Sequence, residues 1–361
     1  MLYYLFAYLL SLFFISLSHY SSSNNKLSIS VYVFISSIPL VILSGFRSYS
    51  VGSDTQGYKI LYEYINPQWS DFILNTKIGI FDEVGFKISQ FIFRYLNINF
   101  SYFLLFIAFF IVYVFLYRIR TMSKYYVFST FVFLTLGFYT FHFNGARQGI
   151  ALAIFFFSVK FLIERKGIKF ILCIIFGFFF HKSILLTLPI YFIVSMKSSF
   201  KNYLIFFFVM LFIAAFIGPL VQFASDNIDS RYSSFGITRD KAMGVYYNLF
   251  NVLFFIYFCA VRKINNIKND IFDSMLNVYF IGAIIGLLSI LLKLDPNGIA
   301  RSSYYFTELS IYIIPITVYS VKDIRSRSII FIFMIVMLSF YFMLTTYKLA
   351  NLYPYSFVFN F

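Results

Sequence analysis

Acidic side chains are scarce in this chain: 14 Asp and Glu stand against 29 Lys and Arg, and charged residues of all kinds make up only 12% of 361 positions. A soluble domain carries about a quarter of its residues as charges, so a water-facing globular fold is excluded. Cysteine is nearly absent as well. Its 2 copies, Cys173 and Cys259, fall inside apolar runs, which excludes a disulfide framework and a cysteine-based metal cluster. The first run, residues 2–18, lacks a basic leader and a small-residue cleavage site, and is expected to be a retained span rather than a signal peptide. Internal repeats and low-complexity blocks are also missing, which argues against a repeat array.

What fills the chain is hydrocarbon. Hydrophobic residues account for 61% of the sequence, with 54 Phe and 31 Tyr, and mean hydropathy is +0.82. Apolar runs approaching the ~20 residues that cross a bilayer recur along nearly the whole length. They fall near residues 2–18, 27–44, 100–117, 125–139, 149–163, 168–180, 183–196, 203–216, 246–261, 274–292, 304–320 and 329–347. The expected fold is all-α and polytopic, one integral membrane domain over residues 1–361 with about twelve spans, in a range of roughly ten to fourteen.

A polar stretch at 46–98 interrupts this pattern and is long enough to be a functional loop. Within it Val84, Ile88, Phe91, Ile92 and Tyr95 recur near helical spacing, predicting an amphipathic helix over 82–96. A second loop is expected at 221–245.

The formal charge of +15 follows from topology rather than from nucleic-acid binding. Arg118, Arg120 and Lys124 fall on the same side as Arg165, Lys166 and Lys169, as Lys197 and Lys201, as Arg262, Lys263 and Lys268, and as Lys322, Arg325 and Arg327. The side that collects basic residues in short loops is the cytoplasm. Residues 47–98, 141–148, 181–182, 221–245 and 293–301 then face outside.

Polar side chains gather on that outer face. Arg47 precedes Val51-Gly-Ser-Asp54-Thr-Gln-Gly-Tyr58, where Gly52 permits a tight turn. Asp54 there can orient an arginine, accept a proton from a hydroxyl, or cap the helix that follows. Residues 141–149 read Phe-His-Phe-Asn-Gly-Ala-Arg-Gln-Gly, so Asn144, Arg147 and Gln148 enter a helix whose free N–H groups, with a guanidinium, suit a phosphate. For a lone arginine the alternative is a membrane anchor. His181 ends a Phe-rich run and titrates in the range useful for proton transfer. Arg301 leads into another span. Positive-inside bias should deplete arginines at outer span entrances, yet Arg47, Arg147 and Arg301 occupy three of them. Together they would make an anion site for a lipid-linked diphosphate.

Arg47 with Gly52-x-Asp54-Thr55-x-x-Tyr58, Asn144-x-x-Arg147-Gln148-Gly149, His181 at the end of its Phe-rich run, and Arg301 with Tyr305 resemble the EpsG-like branch of Wzy-type polysaccharide polymerases. The resemblance covers most of the chain. It implies a GT-C-like membrane glycosyltransferase architecture in a bacterial cytoplasmic membrane, with the active site on the extracytoplasmic side. The implied reaction moves a growing glycan from undecaprenyl diphosphate to a hydroxyl of the next lipid-linked repeat unit. It needs no cofactor and no metal site.

On that basis Arg147 and Arg301 are expected to hold the diphosphate, with Arg47 a third ligand or the partner of Asp54. Arginine suits a departing diphosphate better than lysine does. Asp54 and His181 are the candidates to receive the acceptor proton, and Glu83 is a weaker third because it also suits a helix cap. Tyr58, Glu83, Asn144, Gln148 and Tyr305 are expected at the glycan, although aromatic residues such as Trp69 also collect at membrane interfaces. Asp226, Asp229, Arg231, Arg239 and Asp240 are candidates to contact the variable glycan. Expected partners are the lipid-linked donor and acceptor, membrane lipid and a chain-length regulator protein, with no nucleic acid. The competing readings are a flippase or transporter for the same lipid, an O-antigen-type ligase, and an outer-face acyltransferase.

Overall fold

The computed structural model describes residues 1–20, 25–70, 72, 83–227, 244–294 and 299–359. Among them, the regular structure is helical. Eight helices are long and apolar enough to cross a membrane: Leu2–Tyr20, Lys26–Gly45, Phe100–Met122, Tyr126–Asn144, Ala146–Ile163, Val245–Ile264, Asp270–Leu291 and Ile324–Leu349. The protein is therefore multi-pass. The other four apolar runs form shorter helices, Gly167–Phe178, Lys182–Ile193, Phe200–Ala215 and Ser310–Ser320. Among the described residues, helix length and composition thus give eight candidate spans, and the roughly twelve expected from the runs are not confirmed.

The chain gathers into two compact units. The first comprises residues 1–158, 172–182 and 328–361. In it Lys26–Gly45 packs against both Leu2–Leu17 and Phe100–Met122. The side chain of Asn25 accepts the Ser28 N–H at 3.0 Å and so caps the start of Lys26–Gly45. At the other end, the carbonyls that a helix terminus leaves without partners are met by side chains. The Tyr355 hydroxyl donates to the Leu43 carbonyl at 2.6 Å and the Arg47 guanidinium to that of Ser44 at 2.5 Å, and one turn earlier the Tyr139 hydroxyl adds a bond to the Leu40 carbonyl at 2.7 Å.

The C-terminal segment closes over the same place. Ser48 N–H donates to the Ser356 carbonyl and Val358 N–H to that of Phe46, at 2.8 and 2.9 Å, around an antiparallel bridge between Arg47 and Phe357. The Tyr4 hydroxyl reaches the Leu352 carbonyl at 3.1 Å.

The long loop contains two helices, Thr55–Glu63 and Val84–Tyr95. The second corresponds to the predicted amphipathic helix, but its buried face runs through Phe86, Gln90 and Phe91, while Ile88, Ile92 and Tyr95 are exposed. Trp69 packs its ring on Phe91 at 4.5 Å.

The second unit comprises residues 159–171 and 183–327. Asp270–Leu291 is its centre, packed by Val245–Ile264, Phe200–Ala215, Ile299–Thr307 and Ser310–Ser320. Asn269 caps it by accepting the N–H groups of Ile271 and Phe272 at 2.9 and 3.2 Å. A bidentate pair, Arg262 on Asp273 with both bonds at 2.6 Å, ties it to the preceding helix. Ile217–Asn227 makes the start of the expected second loop helical.

Candidate functional site

The site forms around Glu83. Its backbone carbonyl accepts the N–H groups of Phe86 and Lys87 at 3.1 and 3.2 Å, which starts the Val84–Tyr95 helix. Its side chain makes no capping bond. The start of this helix is pinned to the first unit's Phe-rich run, because Gly85 N–H donates to the Phe179 carbonyl at 2.8 Å. A Cβ at position 85 would stand 3.0 Å from that carbonyl oxygen, so glycine permits the approach. His181, two residues further on, is thereby delivered to Glu83.

The carboxylate is shared. Oε1 accepts from His181 Nδ1 at 2.5 Å, and Oε2 accepts from the Arg147 guanidinium. Glu83 is 8% exposed, whereas the side chains of Arg147 and His181 keep 36% and 26% of their surfaces accessible. Burial pushes the Glu83 carboxyl up, but the hydrogen bond and charge of His181 and the charge of Arg147 outweigh it and hold the group below its ordinary value of 4.5. A buried anion thus organises two partly exposed groups. Arg147 lies over the Tyr58 ring, 5.9 Å from its centroid, and Tyr58 in turn packs against Phe86 at 5.8 Å.

Arg147 also opens the Ala146–Ile163 helix. The first-turn N–H groups of a helix, beside a guanidinium, favour an anionic oxygen. His181 supplies different chemistry. With Nδ1–H donated to a carboxylate, its Nε2 is an acceptor, and the carboxylate stabilises the imidazolium formed when Nε2 takes a proton.

Asp54, earlier in the same long loop, is linked to the Arg147 segment through its neighbour Ser53. It precedes Thr55–Glu63 without a side-chain cap, and its Oδ1 accepts from the Ser53 hydroxyl at 2.9 Å. Ser53 N–H donates to Asn144 Oδ1 at 2.8 Å, and Asn144 Nδ2 donates to the Ala350 carbonyl at 2.7 Å. Gly52, at φ +90°, makes the turn; a Cβ there would meet Asn144 Oδ1 at 2.7 Å. Asp54, Tyr58, Glu83, Asn144, Arg147 and His181 therefore all belong to the first unit.

Other candidates sit differently. Arg47 is 1% exposed and turned inward. Besides Ser44, it donates to the Thr55 hydroxyl and the Phe143 carbonyl at 3.3 and 3.4 Å, and its guanidinium lies 4.5 Å from the Phe143 ring centroid. Burial lowers it to about 10 against the influence of the surrounding tyrosine hydroxyls. Tyr58 and Gln148 are buried. Tyr305, in the second unit, is 0% exposed and shares a hydrogen bond with Ser183 at 3.0 Å. Arg301, half-buried, stands in the first turns of Ile299–Thr307. Asp226 lies in the last turn of Ile217–Asn227. Asp82, Asp229, Arg231, Arg239, Asp240 and Asp295 lie outside the described residues.

Sequence reasoning passed over His142 and Tyr139. His142 is 2% exposed, and its Nε2 pairs with the Ser44 hydroxyl at 2.6 Å. Its one signal was its place inside 141–149, three residues after Tyr139.

A multi-pass helical membrane protein that holds a guanidinium and an imidazole on one buried carboxylate is equipped to bind an anion and move a proton beside it. The family this chain belongs to agrees with that class: the model of the EpsG family matches residues 30–357. The family indicates a polysaccharide-polymerase type of function. No curated protein and no solved structure matches the chain.

Proposed function

We propose that the protein lengthens a polysaccharide by moving a growing glycan from a polyprenyl diphosphate, undecaprenyl diphosphate in bacteria, to a hydroxyl of the next lipid-linked repeat unit. The observation that carries this reading is the sharing of Glu83 between Arg147 and His181. Such a transfer has two electrostatic demands. Negative charge develops on the departing diphosphate, and the attacking hydroxyl must lose a proton. A guanidinium at a helix start meets the first demand, and an imidazole oriented by a carboxylate meets the second. In this proposal Arg147 alone carries the diphosphate, and Arg47 is the residue that holds the Arg47–Thr55 turn in shape. Asp54, and Asn144 bonded to its neighbour Ser53, meet sugar hydroxyls in this proposal. The distribution of basic loops supports a site on the outer side of the cytoplasmic membrane.

Deleting the gene and sizing the cell's lipid-linked glycans tests the proposal. Single repeats accumulating outside the membrane are expected. Single repeats trapped inside would indicate a flippase, and polymer stranded on lipid would indicate a ligase. Restoring the gene with Arg147→Ala should leave protein in the membrane and single repeats intact but give no polymer. Polymer of normal length from that variant overturns the assignment.

A further inference from the structure

Within the polymerase reading just given, on which this step rests, the acceptor proton has two possible destinations, Asp54 and His181. We infer that His181 receives it, and that Glu83 is the positioning residue that fixes the His181 ring and couples it to whatever Arg147 holds. Asp54 is engaged locally, by the hydroxyl of its own neighbour Ser53 at 2.9 Å. His181 is engaged across the fold: Glu83 lies 98 residues away in sequence, and the same carboxylate holds Arg147 on its other oxygen. His181 and Arg147 are therefore no farther apart than one carboxylate and two hydrogen bonds. A base and a cation held on one carboxylate are close enough to serve the attacking and departing oxygens of one sugar carbon in this proposal.

The step balances as follows. His181 Nε2 takes the proton of the acceptor hydroxyl while that oxygen bonds to the anomeric carbon of the donor sugar. The bond from this carbon to the diphosphate oxygen breaks, and its electron pair leaves with the diphosphate, which departs against Arg147. The proton on His181 then passes to water, returning the imidazole to its neutral form. The His181 ring is held through Nδ1 by Glu83, and Nε2 is the atom this role requires.

Sharing one carboxylate adds an order to the events. In the empty site Glu83 divides its charge between the guanidinium and the imidazole. An arriving diphosphate draws Arg147 toward itself, and more of the carboxylate's charge then falls on His181. The carboxylate is then left to orient His181 alone, so donor binding precedes positioning of the base for the acceptor.

The test uses full-length protein in nanodiscs, with a purified polyprenyl-diphosphate-linked repeat unit as donor and acceptor, and reads kcat and KM separately. His181→Gln should lower kcat by roughly 10²- to 10⁴-fold, the usual contribution of a general base. Glu83→Gln should lower kcat by roughly 10²-fold, with KM for the lipid unchanged or lower, because Arg147 has lost its internal competitor. The double variant should be no slower than His181→Gln alone, since residues acting as one unit are not additive. Glu83→Asp, which keeps the charge on a shorter arm, serves where Glu83→Gln reduces folded yield; it should lower kcat at unchanged KM. Wild-type kcat in Glu83→Gln or Glu83→Asp, a raised KM, or a double variant slowed by the product of the single effects overturns the inference while leaving the polymerase reading intact. A wild-type protein that makes no polymer from this substrate overturns both.

Discussion

Replacing Arg47 with methionine separates a buried scaffold arginine from a diphosphate ligand. The substitution removes the donor to the Ser44 carbonyl at 2.5 Å. An orphaned buried carbonyl costs about 1–3 kcal/mol, and the charged donor places this one near 3. Loss of the guanidinium over the Phe143 ring, 4.5 Å from its centroid, adds about 2 kcal/mol for a desolvated pair. The Phe143 carbonyl, a more distant acceptor at 3.4 Å, adds about 1 kcal/mol. Against this stands the hydration the charge gives up on burial. Its lowering from 12.5 to about 10, after the tyrosine hydroxyls have offset part of the burial cost, corresponds to a net penalty of about 3 kcal/mol, which methionine does not incur. A net loss of about 3 kcal/mol remains, large for one substitution. Thermal unfolding in nanodiscs, followed with a thiol-reactive dye at the half-buried Cys173 and Cys259, should show it as a lowered Tm, with polymer formed per folded molecule largely retained. A wild-type Tm combined with no polymer per folded molecule would refute the reasoning and return Arg47 to the diphosphate.

Gly52→Ala places a Cβ at φ +90°, 2.7 Å from Asn144 Oδ1. It should cost about 1–3 kcal/mol and weaken the Ser53–Asn144 bond, seen as a lower Tm with a parallel loss of polymer. Tyr305→Phe should cost only about 1 kcal/mol, the net value of its bond to Ser183, and leave the length distribution of the polymer unchanged; a shift to short chains would place this ring at the glycan after all. The Glu83 carboxyl is depressed in the folded protein, so its contribution to stability is complete above its ordinary value and is lost as pH falls through the lowered one. The Tm gap between wild type and Glu83→Gln should therefore persist from pH 7 to about 5 and close only below the ordinary 4.5. A gap that closes between pH 7 and 6 would contradict an ionised, paired Glu83.

Much of the helical order was legible because membrane spans are written in composition: where lipid is the solvent, an apolar run has to satisfy its own backbone. Run length was less informative. Residues 304–320 read as one apolar run, yet the helices there are Ile299–Thr307 and Ser310–Ser320. Arg147 and His181 stood out because each interrupts hydrocarbon. Glu83 did not, since Asp82-Glu83-Val-Gly85 has the local signature of a cap, and its partners lie 64 and 98 residues away. Arg47 could not be assigned inward from its neighbours, because Tyr139 and Tyr355, which share the helix end with it, come from distant parts of the chain. Periodicity reports which face of a helix is apolar, and it carries no information about which buried carbonyls await a donor.

The closure of the C-terminal segment over residues 46–48 bears on how the protein is made. Leu2–Leu17 and Lys26–Gly45 leave the ribosome first, but the Leu43 carbonyl, the Gly52 N–H and the Asn144 amide wait for Tyr355, Asn351 and Ala350. Until those residues are synthesised, the turn that carries Asp54 lacks its outer wall. Nascent chains stalled before residue 350 would therefore carry Glu83, Arg147 and His181 among inserted helices while the turn before Asp54 still lacked its C-terminal partners.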